Sequence, residues 1–344
     1  MIFCTLFNWA YLPQGIALYR SLQRTRGDDF VLYVLCMDSY TQELLEGLAL
    51  PNMRLIPLSS VEDEGLLAVK PERSFGEYCW TCTTPLLQYV MKLWPEGQVV
   101  FYVDADIAFT SDPAAIRDEM GQGSIFIHEH DFAPEHAGLE VTSGRFNVGV
   151  TGFRNNPEGR ECLARWRRQC IEECVLDPDA NKCGDQNYLD EWPALYPGLV
   201  ISSNPGVGPA PWNIGKYTLT LVDGRVHLDG RPMVFYHYHT LKLLRPRLGI
   251  RPTQIAYGNY GFSPAVIDSI YRPYARELWE TIKGFPKLLE NLRSLPDVSP
   301  RMKDDQLLFM VAGRALPVDR NAVTLDYLYG IDPARNGTTL TKAG

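Results

Sequence analysis

Two carboxylates two residues apart, Asp104 and Asp106, follow the continuous apolar run Val99 to Val103 in the stretch QVVFYVDADIAFT. Side chains alternate along an extended chain, so the spacing predicts that both carboxylates leave the same face. At the end of a strand buried on both faces they repel one another and lose hydration unless a cation sits between them. Oxygen ligands of this kind suit Mg²⁺ or Mn²⁺, which keep further positions for water and substrate phosphates. The plainer reading is a strand end whose aspartates cap the next segment or face solvent. A bare Asp-x-Asp favours that reading, and the apolar strand upstream tips the balance to a metal.

A second constellation lies far downstream in FYHYHTLK, residues 235–242. His237 and His239 share one face of an extended chain, and either can ligate the ion held by Asp104 and Asp106. Lys242 can then neutralise a diphosphate as a point charge. Taken alone, the segment reads more simply as two partly buried histidines and a solvated lysine. In FNVGV, Asn147 and Gly149 interrupt an apolar run, which permits a bulge or a close backbone approach. Asn147 offers both donor and acceptor to sugar hydroxyls. In GDQNYL, Asp185 and Gln186 stand at what reads as a helix start. Either the pair meets a substrate and stabilises developing positive charge, or Asp185 is an N-cap.

Other reactive types carry less. His128, His130 and His136 lie in loop-like surroundings and read as surface or substrate-pocket residues rather than metal ligands. Cys79 and Cys82 form a C-x-x-C without a second pair at zinc spacing, so two buried small residues on one helix face is the expected outcome. Gly206 to Asn213, GVGPAPWN, is a rigid loop whose Trp212 suits a pocket wall. It lacks the dinucleotide fingerprint.

The elements that must position these residues follow the alternation of parallel βαβ units. Strands are expected over 2–7, 30–37, 53–58 and 99–103, with helices over 15–23, 41–48 and 62–69 between the first of them. Further helices are expected over 86–93 and 157–174, and short strands over 124–127 and 233–238. Ligands in such folds sit at the carboxyl ends of the strands, where Asp104 and Asp106 fall. From Phe262 the pattern changes to helical spacing with aromatic and basic residues, interrupted by Pro273 and Pro286. That segment either lies on a membrane surface or packs on the rest of the chain or a second subunit, and its interspersed acids favour packing. The expected division is a catalytic domain over 1–261 and a helical extension and tail over 262–344.

The chain has 344 residues, 45% hydrophobic and 22% charged, with a net charge of -8. The size allows a large core, and the acidic balance argues against nucleic acid as partner. Eight scattered cysteines suggest reduced thiols and a cytoplasmic setting. The opening residues read straight into a strand, so no signal peptide is expected, nor is there a bilayer-spanning segment. The sequon at Asn336 is taken as chance.

Together, FNWAYLPQGIALYRSL, EYCWTCT, YVDAD, FNVGV, GDQNYLDEWP and YHYHTLK, in that order over roughly residues 1 to 245, resemble a GT-A glycosyltransferase. The nearest likeness is to glycosyltransferase family 8 and to bacterial surface-polysaccharide sugar transferases. The resemblance implies an α/β GT-A fold with a mostly parallel central sheet and a helical C-terminal extension. It implies a nucleotide-sugar donor, most often a UDP-sugar, with Mn²⁺ or Mg²⁺, a glycan or glycolipid acceptor, and retention of anomeric configuration. Residue by residue, it makes Asp104, Asp106 and His237 metal ligands and Lys242 a diphosphate contact. Asp104 also faces the donor, Asn147 reads donor-sugar hydroxyls, and Asp185 and Gln186 are the catalytic-site pair. Thr5, Asn8 and Tyr11 fall where the first loop contacts uridine. Thr240 stands where the family often has Gly, and Lys242 is nearer the His than usual.

Two rival functions remain open. A nucleotidyltransferase of sugar phosphates would carry a Gly-rich basic loop after the first strand, where this chain has Asn8-Trp9-Ala10-Tyr11-Leu12. A non-catalytic carbohydrate-binding scaffold would not need both aspartates, His237 and the Asp-Gln pair.

Overall fold

A computed structural model describes residues 1–244, 251–254, 260, 262–294, 308–309 and 315–316. The first half alternates as the apolar pattern demands. β1 is Ile2–Phe7, β2 Val31–Cys36, β3 Met53–Pro57 and β4 Val99–Val103, with α1 (Leu12–Arg26), α2 (Ser39–Leu48), α3 (Glu64–Val69) and α4 (Phe75–Lys92) between them. After β4 come β5 (Ile107–Phe109), β6 (Ile125–Glu129) and β7 (Phe146–Arg154). A seven-stranded sheet runs in the order strand Leu199–Ile201, β6, β7, β4, β1, β2, β3. Its pairs are parallel except where β7 lies antiparallel to β4 and β6. This is an α/β fold with a mostly parallel central sheet, as the sequence predicts.

Both faces of the sheet are covered, which is why its strands are apolar throughout. Phe3, Phe101 and Phe126 pack towards α1 and the C-terminal helix Arg272–Lys283. Cys4, Val100, Tyr102 and Ile127 pack towards α4 and the helix Pro157–Glu172. Arg24 on α1 donates two hydrogen bonds to Glu277, and Arg20 donates to Thr281. The apolar side of helix Arg272–Lys283 therefore rests on α1, the packing alternative of the sequence reading. Among the described residues no helix is long and apolar enough to cross a membrane.

Three local expectations need correction. α4 is one helix that starts at Phe75, not after the C-x-x-C, because Ser74 and Glu77 form a reciprocal capping box. It runs through Pro85, whose missing backbone donor costs about 3 kcal/mol. Burial of Cys82, Leu86, Leu87 and Val90 offsets that cost. His128 is on strand β6 and fully buried, not in a loop. Pro273 does not break its helix: a π turn over Ile267–Tyr271 leads directly into Arg272–Lys283. The sequon at Asn336 lies outside the described residues.

Candidate active site

Asp104 and Asp106 do not sit on an extended strand. β4 ends at Val103, and the Ile107 amide donates to the Asp104 carbonyl at 3.1 Å, closing a tight turn. β5 then pairs antiparallel with the strand Phe235–His237, in a register that sets His237 opposite Ile107. The Tyr238 amide donates to the Asp106 carbonyl at 2.8 Å. The turn and this pairing, rather than period-two alternation, bring the two carboxylates to the histidine. His237 Nε2 lies 3.3 Å from Asp106 Oδ1 and 3.7 Å from Asp104 Oδ2. Among the described residues these three form the group of His, Cys, Asp and Glu able to hold a metal ion, their ligand atoms within 4.8 Å of one another. His239 is not in that group; its ring meets His237 and Trp212 edge-on.

The electrostatics of the three groups are strongly interdependent. Burial, opposed by the His237 charge and reinforced by Asp106, pushes the Asp104 carboxyl up to about 6. Burial also opposes ionisation of Asp106, but the His237 charge and hydrogen bond outweigh it and hold that carboxyl below its usual range. Burial opposes protonation of His237, yet the two aspartates raise its pKa above the ordinary value. Each charge thus favours the other, and the two carboxylates are best balanced by a positive charge at this point. The Tyr102 hydroxyl donates to Asp104 Oδ1 at 2.8 Å, orienting the ligand from behind.

Close packing explains Gly149. A β-carbon there would stand 2.9 Å from His237 Nδ1 and 2.5 Å from Asn147 Oδ1, so only glycine lets that ring and amide lie against the backbone. The expected close approach in FNVGV is real. The His237 strand is braced from the C-terminal side: Tyr238 stacks on Tyr274 with centroids 3.6 Å apart, and the Tyr236 and Tyr271 hydroxyls are 3.0 Å apart. Thr240 adopts a left-handed backbone with φ of 62°, the conformation that glycine takes most easily.

Asp104, His237, His239, Asn147, Asp185 and Gln186 line one cavity of about 570 Å³, the size of a small-ligand pocket. Trp80, Phe132, Trp212 and Tyr260 supply apolar wall. Trp212 is thus the pocket residue its loop predicted. Asp185 is not an N-cap. It is buried, its Oδ2 has no hydrogen-bond partner, and burial together with the Asp104 charge pushes its carboxyl up to about 8. Gly184 holds the preceding backbone at φ of 58° against the Trp80 ring, and Trp166 Nε1 donates to the Asp185 carbonyl at 2.8 Å. An unpaired acceptor in a ligand-sized cavity is available to a substrate.

Thr5, Asn8 and Tyr11 are buried and are not among the residues that line this cavity. The register Cys4 to Tyr102 puts the end of β1 and the loop after it at the same sheet edge as Asp104. Thr5 Oγ1 and Asn8 Oδ1 are buried without partners. Lys242 lies in the strand Leu241–Leu244, and its side chain is outside the described residues. Sequence reasoning assigned nothing to Tyr102 or Trp80 and only a general pocket role to His130. The tyrosine stands two residues before Asp104, a spacing that sequence reasoning left unused. The other two depend on how α4 and β6 pack, which no spacing reveals. Burial pushes the Cys82 thiol up to about 12 and Cys79 higher still, so the C-x-x-C is a pair of inert core thiols.

No family model matches the chain. It is 35% identical over 249 residues to the Uncharacterized protein YfnF of Bacillus subtilis (strain 168), covering 70% of this chain and 82% of that protein. It is 34% identical over 304 residues to the Uncharacterized protein YfnD of the same organism, covering 86% of this chain and 96% of YfnD. Among solved structures it resembles the galactosyltransferase LgtC, crystallised with donor and acceptor sugar analogs. The TM-score is 0.50 at 16% identity, covering 70% of this chain and 88% of LgtC. That likeness establishes the fold as GT-A, and by sequence the chain belongs to the family of YfnF and YfnD.

Proposed function

We propose that the chain is a metal-dependent glycosyltransferase that moves a sugar from a nucleotide-diphosphate donor, a UDP-sugar, to a glycan or glycolipid acceptor with retention. The setting would be cytoplasmic synthesis of surface polysaccharide or lipopolysaccharide. One observation carries the reading: Asp104, Asp106 and His237 converge at the carboxyl edge of a parallel sheet, beside a cavity that also holds Asn147 and Asp185. Asp104, Asp106 and His237 would hold Mn²⁺ or Mg²⁺. Two carboxylates and an imidazole fit such an ion and leave positions for phosphate oxygens. When bound, the ion supplies Lewis-acid stabilisation of the departing diphosphate.

The remaining roles belong to side chains. Lys242 adds a cation for the leaving group, and Thr5, Asn8 and Tyr11 are proposed to meet the base. Asp185 would face the positive charge that develops at the anomeric carbon, with Gln186 at its side. Trp80 and Trp212 offer flat apolar surface on which a sugar ring can rest. The helices after Phe262 form an extension that braces the His237 strand. Nothing observed favours the nucleotidyltransferase or the scaffold.

A thermal-shift panel of UDP-, GDP-, CMP- and dTDP-sugars, each with and without Mn²⁺, tests the reading. Stabilisation by the UDP-sugars alone, and only with metal, is expected; at 100 times Kd it amounts to about 2.7 kcal/mol. A chain indifferent to every donor is not a glycosyltransferase of this kind.

A further inference from the structure

The amides of Asn147 and Gln186 are oriented by backbone groups that cannot reverse. The Ser143 carbonyl can only accept, so the Gln186 nitrogen that donates to it at 2.7 Å is fixed as Nε2. Gln186 Oε1 therefore faces Asn147 Nδ2 at 2.9 Å, and it also accepts from the Val148 amide at 3.4 Å. The second hydrogen on Gln186 Nε2 points to Cys183 Sγ at 3.7 Å, so both hydrogens and both lone pairs of Gln186 are used within the protein. From the other side, the Gly149 amide can only donate, which fixes Asn147 Oδ1 at 2.9 Å from it. Asn147 thus presents Nδ2 to two partners, Gln186 Oε1 and, at 3.2 Å, His130 Nε2.

A nitrogen that receives an amide hydrogen carries none of its own. The His130 ring proton is left at Nδ1, which is buried and makes no hydrogen bond within the protein. The ring is 3% exposed, stacks on Phe132 at 4.7 Å and meets Trp212 edge-on. Burial and the neighbouring His128 depress its pKa to about 3, in keeping with an uncharged imidazole.

We propose that His130 is a positioning residue: a neutral imidazole protonated at Nδ1, whose bare Nε2, together with Gln186, locks the Asn147 amide. Asn147 is then left to meet a ligand only as an acceptor, through the second lone pair of Oδ1, which selects a hydroxyl donor over a carbonyl or carboxylate at that point. Gln186 acts through Asn147 rather than on the reacting atoms. The significance for sugar recognition rests on the glycosyltransferase reading, whereas the tautomer and the lock do not.

Nitrogen-15 NMR of the full chain, labelled at histidine and asparagine and recorded at pH 7 without ligand, tests this independently of any activity. Assignment of the ring comes from loss of its signals in His130→Gln. The wild type is expected to show His130 protonated at Nδ1 and bare at Nε2, and the Asn147 amide hydrogens resolved and slow to exchange. His130→Gln supplies an acceptor oxygen and should keep those amide hydrogens slow, whereas His130→Leu should lose the slow signal of one. A His130 ring protonated at Nε2, or on both nitrogens, in the wild type would overturn the proposal, and His130→Leu gives the same assignment should the Gln variant not fold. Equal protection of the Asn147 amide in the Leu and Gln variants would overturn it as well.

Discussion

Alanine at both Asp104 and Asp106 is expected to lower Mn²⁺-dependent sugar transfer by about three orders of magnitude or more, since it removes both carboxylates proposed to hold the ion. The size of the effect follows from the geometry. Two of the three groups proposed to hold the ion would disappear, leaving His237 alone, only 3% exposed and enclosed by Trp212 and His239. The fold should survive, because the turn that carries these residues is closed by backbone hydrogen bonds from Ile107 and Tyr238 and not by the carboxylates. Removing two neighbouring acids also relieves their repulsion. Donor turnover, with circular dichroism as the control for folding, is the measurement. Turnover equal to the wild type in a folded variant would sink the metal site.

Asp185→Asn is expected to stabilise the protein while it abolishes transfer. Burial and the Asp104 charge push the carboxyl up to about 8 in the folded chain, from an ordinary carboxylate value near 3.8. Between those values the folded state binds more protons than the unfolded state, so stability falls as pH rises through that window and is flat above it. At pH 7 this carboxyl stays largely protonated in the folded chain and ionises in the unfolded one, and an amide of the same shape removes that gain of the unfolded state. The midpoint of thermal unfolding should therefore rise by several degrees at pH 7 and change little at pH 4. If Asp185 faces the anomeric centre as proposed, transfer should fall by about a hundredfold or more, since an amide cannot ionise to meet the positive charge developing there. Such an opposition of stability and activity marks a strained functional group and not a packing residue. An unchanged midpoint at both pH values would show that Asp185 is better compensated than its unpaired Oδ2 indicates.

Much of the fold was legible because strands buried on both faces leave long apolar runs, and β1, β2 and β4 are such runs. The site was legible where chemistry forces residue type. A carboxylate pair at a strand end, a His-x-His after another strand, and glycine inside an otherwise apolar run all drew attention without any structure. Less legible was how they meet. Asp104 and Asp106 converge with His237 through a turn and an antiparallel pairing of residues far apart in sequence, and period-two alternation carries no trace of that pairing. His128 read as a loop residue because His and Glu are uncommon in buried strands, yet β6 is held by β7 on one side and strand Leu199–Ile201 on the other. α4 read as starting late because Pro85 masks a helix whose cap lies upstream. Asn147 and Gln186 read as substrate contacts, whereas the structure turns most of their hydrogen-bonding capacity inward to His130, Ser143 and the β7 backbone. The donor and acceptor sides of an amide are set by its neighbours, which spacing does not record.

The central claim is that Asp104, Asp106 and His237 hold a divalent ion for a nucleoside diphosphate. Electron paramagnetic resonance of Mn²⁺ titrated against the protein with UDP present tests it most directly, because the free-ion signal disappears on binding. The account predicts that the wild type removes one Mn²⁺ per chain, and that His237→Ala weakens this binding about 10- to 100-fold or more. A free-ion signal that persists in full with the wild type and UDP, or an identical titration for His237→Ala, would contradict it.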